Sequence, residues 1–186
     1  MLKLTVPSEV QEVYNEKTSK FQQITVDAVP VTLEHSLHTV SMWEAKYKKP
    51  FMSDLESHKK TNDEMTDYVR MMVLDDISDA VFDNLLKYNL TEVNDYIADP
   101  HTATTVKERK QNSGVDEMVT AEVIYYWMFS SQIPLECEHW HLNKLMMLIR
   151  VFAAKNAKPE KMSTADIAAR NRELNAQRRA KMKSKG

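Results

Sequence analysis

The chain contains very little glycine: Gly114 and Gly186 are the only two among its 186 residues. Loops that bind phosphate groups need glycine, because the backbone approaches the phosphate in torsions that other residues avoid. This scarcity argues strongly against a P-loop or a dinucleotide-binding fingerprint. It also disfavours an all-β fold, whose tight turns often require glycine.

Cysteine is equally scarce, since Cys137 is the only one. No disulfide can therefore form within the chain, which suits a reducing cytoplasm. The first residues lack the charged segment and long apolar core of a signal peptide. The apolar run near the middle at residues 124–129 is far too short to cross a bilayer. We expect neither secretion nor a membrane partner.

Charge is distributed unevenly along the chain. Residues 1–154 carry 15 Lys and Arg against 24 Asp and Glu, whereas residues 155–186 carry 10 against 3. A basic tail of this kind can bind nucleic acid or an acidic partner, or it can keep a terminal helix solvated. The length fits one main domain with an appendage better than two full domains.

Hydrophobic periodicity predicts a mainly α fold, a single helical domain with a small N-terminal β-hairpin or meander and a basic C-terminal helix. Residues 1–33 contain the β-branched, alternating segments, so we predict a β-rich segment packed on the main domain. Residues 34–159 show helical periods and form the predicted helical core domain. Residues 160–186 form the predicted basic helical tail.

Several local patterns locate individual helices. Thr61 and Glu64 have the spacing of a capping box, and Ser78 can cap a following helix. Residues 115–131 and 136–155 predict two strongly apolar helices that pack together as the centre of the core. The later half of the first of these is apolar nearly all round and is therefore predicted to be enclosed.

Four stretches of the chain carry a family resemblance. They are residues 33–37 (LEHSL), 43–51 (WEAKYKKPF), 138–150 (EHWHLNKLMMLIR) and 170–179 (RNRELNAQRR). Together they resemble small tail-assembly proteins of tailed bacteriophages and prophages, which are often called tail assembly chaperones. The resemblance implies a non-enzymatic protein that binds tape-measure or tail-tube proteins, or its own copies, in the host cytoplasm. An alternative is a structural tail or baseplate component that remains in the virion.

Two sets of residues are singled out as candidate sites. The resemblance depends chiefly on a motif that we predict to be part of the core: Trp140, His141, Leu142, Asn143, Lys144 and Leu145. The basic tail has few large apolar groups, so it cannot fold by burial alone and is expected to dock on a partner. The predicted partner-binding residues are Arg170, Arg172, Leu174, Arg178 and Arg179.

Catalytic and metal chemistry are weakly indicated. Cys137 and His141 have the i, i+4 spacing that places two ligands on one helical face, but structural zinc needs three or four ligands. A thiol at the head of an apolar helix is usually an inert packing group. We therefore predict no catalytic residues, no cofactor and no metal site.

A small nucleic-acid-binding protein is the second alternative, because the tail is basic. No aromatic residues are interleaved with its charges for base stacking, so specific nucleic-acid recognition is not favoured.

Overall fold

The protein folds into two compact units, residues 1–154 and residues 155–186. The computed structural model describes residues 1–15, 19–53, 55–106, 118–156 and 164–182. The predicted division between residues 159 and 160 lies outside the described ranges. The described part of the chain is mainly α-helical, with a small N-terminal β-structure, so the predicted fold class is confirmed.

The helices and strands follow one another along the chain in a simple order. The strands are β1 (Leu2–Val6), β2 (Glu9–Asn15), β3 (Lys20–Val26) and β4 (Val29–Leu33). The helices are α1 (Leu37–Tyr47), α2 (Asn62–Met72), α3 (Asp79–Tyr88), α4 (Leu90–Ala98), α5 (Ala121–Ser130), α6 (Leu142–Asn156) and α7 (Thr164–Met182). Short 3-10 helices occur at Glu56–His58 and Leu135–His139.

The four strands form one long antiparallel ribbon in two parts. β1 pairs with β4, β2 pairs with β3, and the register stays the same across the break between the two parts. The predicted hairpin is therefore present, whereas a meander, which would pair β1 with β2, is not. Pro7 lies at the break, where its missing N–H cannot continue the ladder. The strand-like patterns at residues 2–6, 24–26 and 29–33 predicted β1, β3 and β4 but not β2.

Side chains of β1 and β4 pack into the main hydrophobic core. Val6, Val31 and Leu33 are almost completely buried. β4 also meets the end of α2, where Leu33 forms a bridge with Val73. The base of the ribbon is thus an integral part of the first unit.

Two predicted helix starts are confirmed. The Thr61 side chain accepts a hydrogen bond from the Glu64 backbone N–H at 3.2 Å, and the Glu64 carboxylate accepts one from the Thr61 N–H at 2.8 Å. This reciprocal capping box begins α2. Ser78 caps α3 through the Val81 N–H at 3.4 Å. Both signals are local, which is why sequence spacing sufficed to find them.

The centre of the core is α1, not the predicted pair of helices at residues 115–131 and 136–155. Leu37, Val40 and Trp43 on α1 are completely buried, and α1 contacts α2, α5 and the second 3-10 helix. The Trp43 indole N–H donates to the Glu64 carbonyl at 2.8 Å. The sequence pattern did not predict that α1 is central, because α1 also buries the polar residue Thr39.

The predicted helix over residues 136–155 is wrong at its beginning. Residues 135–139 form a 3-10 helix, Trp140 is extended, and α6 begins only at Leu142. His141 forms a β-bridge with Ser36, and the Leu142 N–H donates to the His35 carbonyl at 2.9 Å. These long-range hydrogen bonds replace helical ones. Cys137 and His141 therefore do not share a helical face.

A buried carboxylate joins three parts of this core. One oxygen of Glu44 accepts the Phe51 backbone N–H at 2.6 Å, and the other accepts the Ala121 N–H at 2.7 Å. Burial raises the pKa of Glu44 above its ordinary value, and the two backbone hydrogen bonds make that increase smaller. The side chain thereby connects α1 with the turn after it and with the first residue of α5.

Replacing Glu44 by Gln should destabilise the protein. The amide keeps one acceptor and places an N–H group against another N–H, so one buried donor loses its partner at a cost of about 1–3 kcal/mol. A protein of this size loses roughly 2–4 °C in melting temperature per kcal/mol. Glu136→Gln is the matched control, because Glu136 is exposed on the second 3-10 helix. Equal melting temperatures for the two variants would contradict the role given to Glu44.

Candidate functional site

The motif at residues 140–145 lies where α6 enters the core, and three of its six residues are buried. His141, Leu142 and Leu145 are buried, whereas Trp140 and Lys144 are exposed. The Lys144 ammonium lies 4.4 Å from the centre of the Trp140 ring, at the distance of a cation–π contact. The expectation that the motif belongs to the core thus fits its three buried members and fails for Trp140.

The polar members of the motif cap the end of α4. The His141 Nε2–H donates to the Tyr96 carbonyl at 2.9 Å, and His141 Nδ1 accepts the Asn143 N–H at 3.3 Å. The Asn143 side-chain amide donates to the carbonyls of Ile97 and Asp99 at 3.1 and 2.8 Å. The last carbonyls of a helix have no partner within the helix. His141 and Asn143 supply those partners, which is a structural role.

Aromatic and imidazole rings surround His141 and form a ring cluster, which we define as His35, Tyr68, Tyr96, His101 and His141. The His101 ring stacks on His141 at 4.0 Å, and the His35 and His141 rings are 5.1 Å apart. His35 Nδ1 lies 2.5 Å from the Tyr68 hydroxyl. These contacts join the segment before α1 to α2, α4 and the start of α6.

Burial keeps His35 and His141 neutral. Burial, together with the smaller effects of the neighbouring His141 and His101, lowers the pKa of His35 to about 3. Burial also lowers the pKa of His141. In the part of the chain that the structure describes, no group of three or more His, Cys, Asp or Glu side chains is placed to hold a metal ion. His35 and His141 are therefore neutral packing groups at pH 7.

The ring cluster predicts a loss of stability in mild acid. In the unfolded chain His35 takes up a proton near pH 6.5, whereas in the folded protein it stays neutral down to about pH 3. The contribution of the neutral histidine to the free energy of unfolding is therefore fully present above pH 6.5. The free energy of unfolding falls as the pH decreases, by up to about 1.4 kcal/mol per pH unit for each such histidine. Urea unfolding between pH 7.5 and 5.5 measures this slope.

The matched variants for this measurement are His35→Gln and His58→Gln. The first should reduce the pH dependence, whatever it does to the absolute stability, because it removes the buried titrating group. The second lies outside the ring cluster and should leave the slope unchanged. An unaltered slope in His35→Gln would show that other groups cause the acid sensitivity.

Two positions of the motif should differ in their effect on folding. The sequence pattern predicted that Trp140→Ala and Leu145→Asp would both damage folding. Leu145 is 0% exposed, so Leu145→Asp should cost more than about 3 kcal/mol by burying an unpaired carboxylate. Trp140 is 39% exposed, so Trp140→Ala should lower the melting temperature far less. Similar losses in thermal unfolding would place Trp140 in the core after all.

The second predicted site lies on α7, in the separate unit of residues 155–186. An α-helix turns 100° per residue, so Leu174 and Arg178 fall on the same side as Ile167. Arg170 borders that side, whereas Arg172 and Arg179, seven residues apart, lie together on the opposite side. Arg172 also donates from Nε to the Ala168 carbonyl at 3.3 Å. The five predicted partner-binding residues therefore belong to two surfaces of one helix.

The outer side of α5 is an aromatic surface that sequence reasoning missed. Tyr126 is 67% exposed and Phe129 is 62% exposed, so the expectation that this half of the helix is enclosed is wrong. Ile124 and Met128 face the core instead. Because apolar residues occur nearly all round α5, its sequence did not reveal which side packs against α1. We call the exposed residues Glu122, Tyr126 and Phe129 the α5 stripe.

The second part of the ribbon, β2 and β3, exposes another apolar surface, and we call it the arm. Val10, Tyr14 and Phe21 project from one face of the arm and are exposed. The Tyr14 and Phe21 rings meet edge to face at 5.3 Å. At the base of the arm, the Glu9 carboxylate accepts hydrogen bonds from Lys87 and Tyr88. In the described residues each strand of the arm pairs with one other strand, so each has an open edge.

Comparison of the chain with protein-family models, with curated proteins and with solved structures finds no match. Among the described residues no helix combines the length and apolar character needed to span a membrane. The arm, the α5 stripe and α7 carry the exposed apolar side chains that suggest binding surfaces.

Proposed function

We propose that this protein is a non-enzymatic assembly protein of tailed bacteriophages, which binds tape-measure or tail-tube proteins in the host cytoplasm. Support for the phage context comes from the four stretches that resemble tail-assembly proteins, notably residues 138–150 and 170–179. Support for a binding role comes from the surfaces of the folded chain.

The observation that carries the binding role is the arm. A two-stranded antiparallel sheet is marginally stable by itself, and an open strand edge can accept a further strand from another chain. The arm combines open edges with the exposed side chains of Val10, Tyr14 and Phe21. Backbone hydrogen bonds would provide affinity, and the aromatic face would provide selectivity for an extended apolar segment of the partner.

The ionisable groups of the core support a binding role over a catalytic one. The Glu44 carboxylate is occupied by two backbone N–H groups, and both nitrogens of His141 are occupied by the end of α4 and by Asn143. Burial raises the pKa of the Cys137 thiol, which disfavours the nucleophilic thiolate. Each of these groups stabilises the fold.

Co-expression with the tape-measure and tail-tube proteins of the same phage tests this function. The intact protein should recover one of them in a pull-down, and the double variant Tyr14→Ser/Phe21→Ser should lose most of that recovery. Leu55→Ser is the matched control, because Leu55 is also exposed but lies outside the arm. Both variants change exposed side chains and should keep the melting temperature of the parent.

Two results would contradict the proposal. Failure of the intact protein to recover any tail protein would remove the proposed partners, and equal recovery by the arm variant and its control would remove the arm from the interface. Mass spectrometry of purified virions separates the two phage roles. An assembly protein is expected to be absent from virions, whereas a tail or baseplate component would be present in stoichiometric amounts.

A further inference from the structure

The α5 stripe lies in a part of the first unit that has carboxylates but neither Lys nor Arg. Residues 118–143 contain no Lys or Arg and three carboxylates, Glu122, Glu136 and Glu138. Glu122 is exposed one helical turn before Tyr126, and Phe129 follows on the same side. Leu135, just after α5, extends the exposed apolar surface. A ligand for this surface needs apolar side chains flanked by positive charge.

Such a ligand occurs in the same chain. On α7, Ile167 and Leu174 are exposed two turns apart, and Arg178 follows Leu174 by one turn on the same side. We call these three residues the α7 stripe. The described helix carries five Lys and Arg against two Asp and Glu. A polar helix with few large apolar residues gains little by folding alone, so contact with a complementary surface would stabilise it.

The two stripes match in spacing as well as in chemistry. Glu122 precedes Tyr126 by four residues, and Arg178 follows Leu174 by four residues, so each pair spans about 6 Å along its helix. The order is opposite on the two helices. An antiparallel arrangement therefore places Arg178 against Glu122 and Leu174 against Tyr126. Ile167, about 10 Å from Leu174, then reaches past Phe129 toward Leu135.

We infer that the α5 stripe of one copy binds the α7 stripe of a second copy, and that this contact makes the protein self-associate. Each copy offers one of each surface, so every copy presents both halves of the contact. This contact is separate from the arm, and it holds or fails independently of the proposed binding of tail proteins.

Sedimentation analysis of the purified full-length protein tests the contact without any phage partner. The sedimentation coefficient should rise with protein concentration, and added salt should weaken association, because exposed charges are screened. Phe129→Ser and Arg178→Glu should each weaken the association constant about tenfold, equivalent to ~1.4 kcal/mol. All changed side chains are exposed, and unchanged melting temperatures verify that the variants fold.

Matched controls make the assignment specific. Arg179→Glu makes the same charge change on the opposite side of α7, and Phe21→Ser removes an equally exposed aromatic from the arm, so both should associate like the parent. The charge swap Glu122→Lys with Arg178→Glu should recover much of the affinity that either single change loses. That recovery would establish the antiparallel pairing.

Three results would overturn the inference. One is a protein that remains monomeric at every accessible concentration. Another is association that Arg178→Glu and Arg179→Glu weaken equally, since this would reflect overall charge. The third is association that Phe21→Ser abolishes and Phe129→Ser leaves intact, which would assign self-association to the arm.

Discussion

The packing of α5 on α1 within the first unit depends on the buried carboxylate of Glu44. It accepts the backbone N–H groups of Phe51 and Ala121, which both follow α1 in the sequence but are 70 residues apart. Burying a charge is costly unless it is hydrogen-bonded, and both of its oxygens are. The second hydrogen bond also places the negative charge at the positive end of the α5 dipole.

The consequences extend to the surface of the protein. With Ala121 fixed, α5 has one orientation on α1, in which Ile124 and Met128 are buried. The same orientation leaves Tyr126 and Phe129 in solvent. The aromatic surface is therefore set by a polar contact at the start of the helix, because apolar residues occur on nearly every side of α5 and hydrophobicity alone would not select one.

A second constraint acts where the segment before α1 meets the start of α6. The Leu142 N–H donates to the His35 carbonyl, and the His139 ring lies 3.0 Å from the buried carboxylate of Glu34. These contacts join residues more than a hundred positions apart. They explain why the histidines near the motif are structural, because each is engaged by backbone or by a neighbouring side chain.

Local signals were sufficient for part of this structure. The capping box of Thr61 and Glu64, the β-branched strands near the N-terminus and the helical periods gave the mainly α fold. The break at Trp140 was not predictable, because a bridge from Ser36 causes it and residues 138–150 read as a continuous helix. For the candidate sites, spacing located the arginines of α7, whereas the exposure of α5 depended on tertiary packing.

The exposed surfaces differ in chemistry, and this difference argues for different ligands. The arm offers open backbone hydrogen-bonding groups beside Tyr14 and Phe21, which suits an extended apolar segment. The α5 stripe offers aromatic side chains beside carboxylates and has no free strand edge, which suits a basic helix. Each Å² of apolar surface exposed to water costs about 25 cal/mol of free energy. Two surfaces of such different chemistry would let one small protein bind another chain through the arm and, as we propose, its own copies through α5.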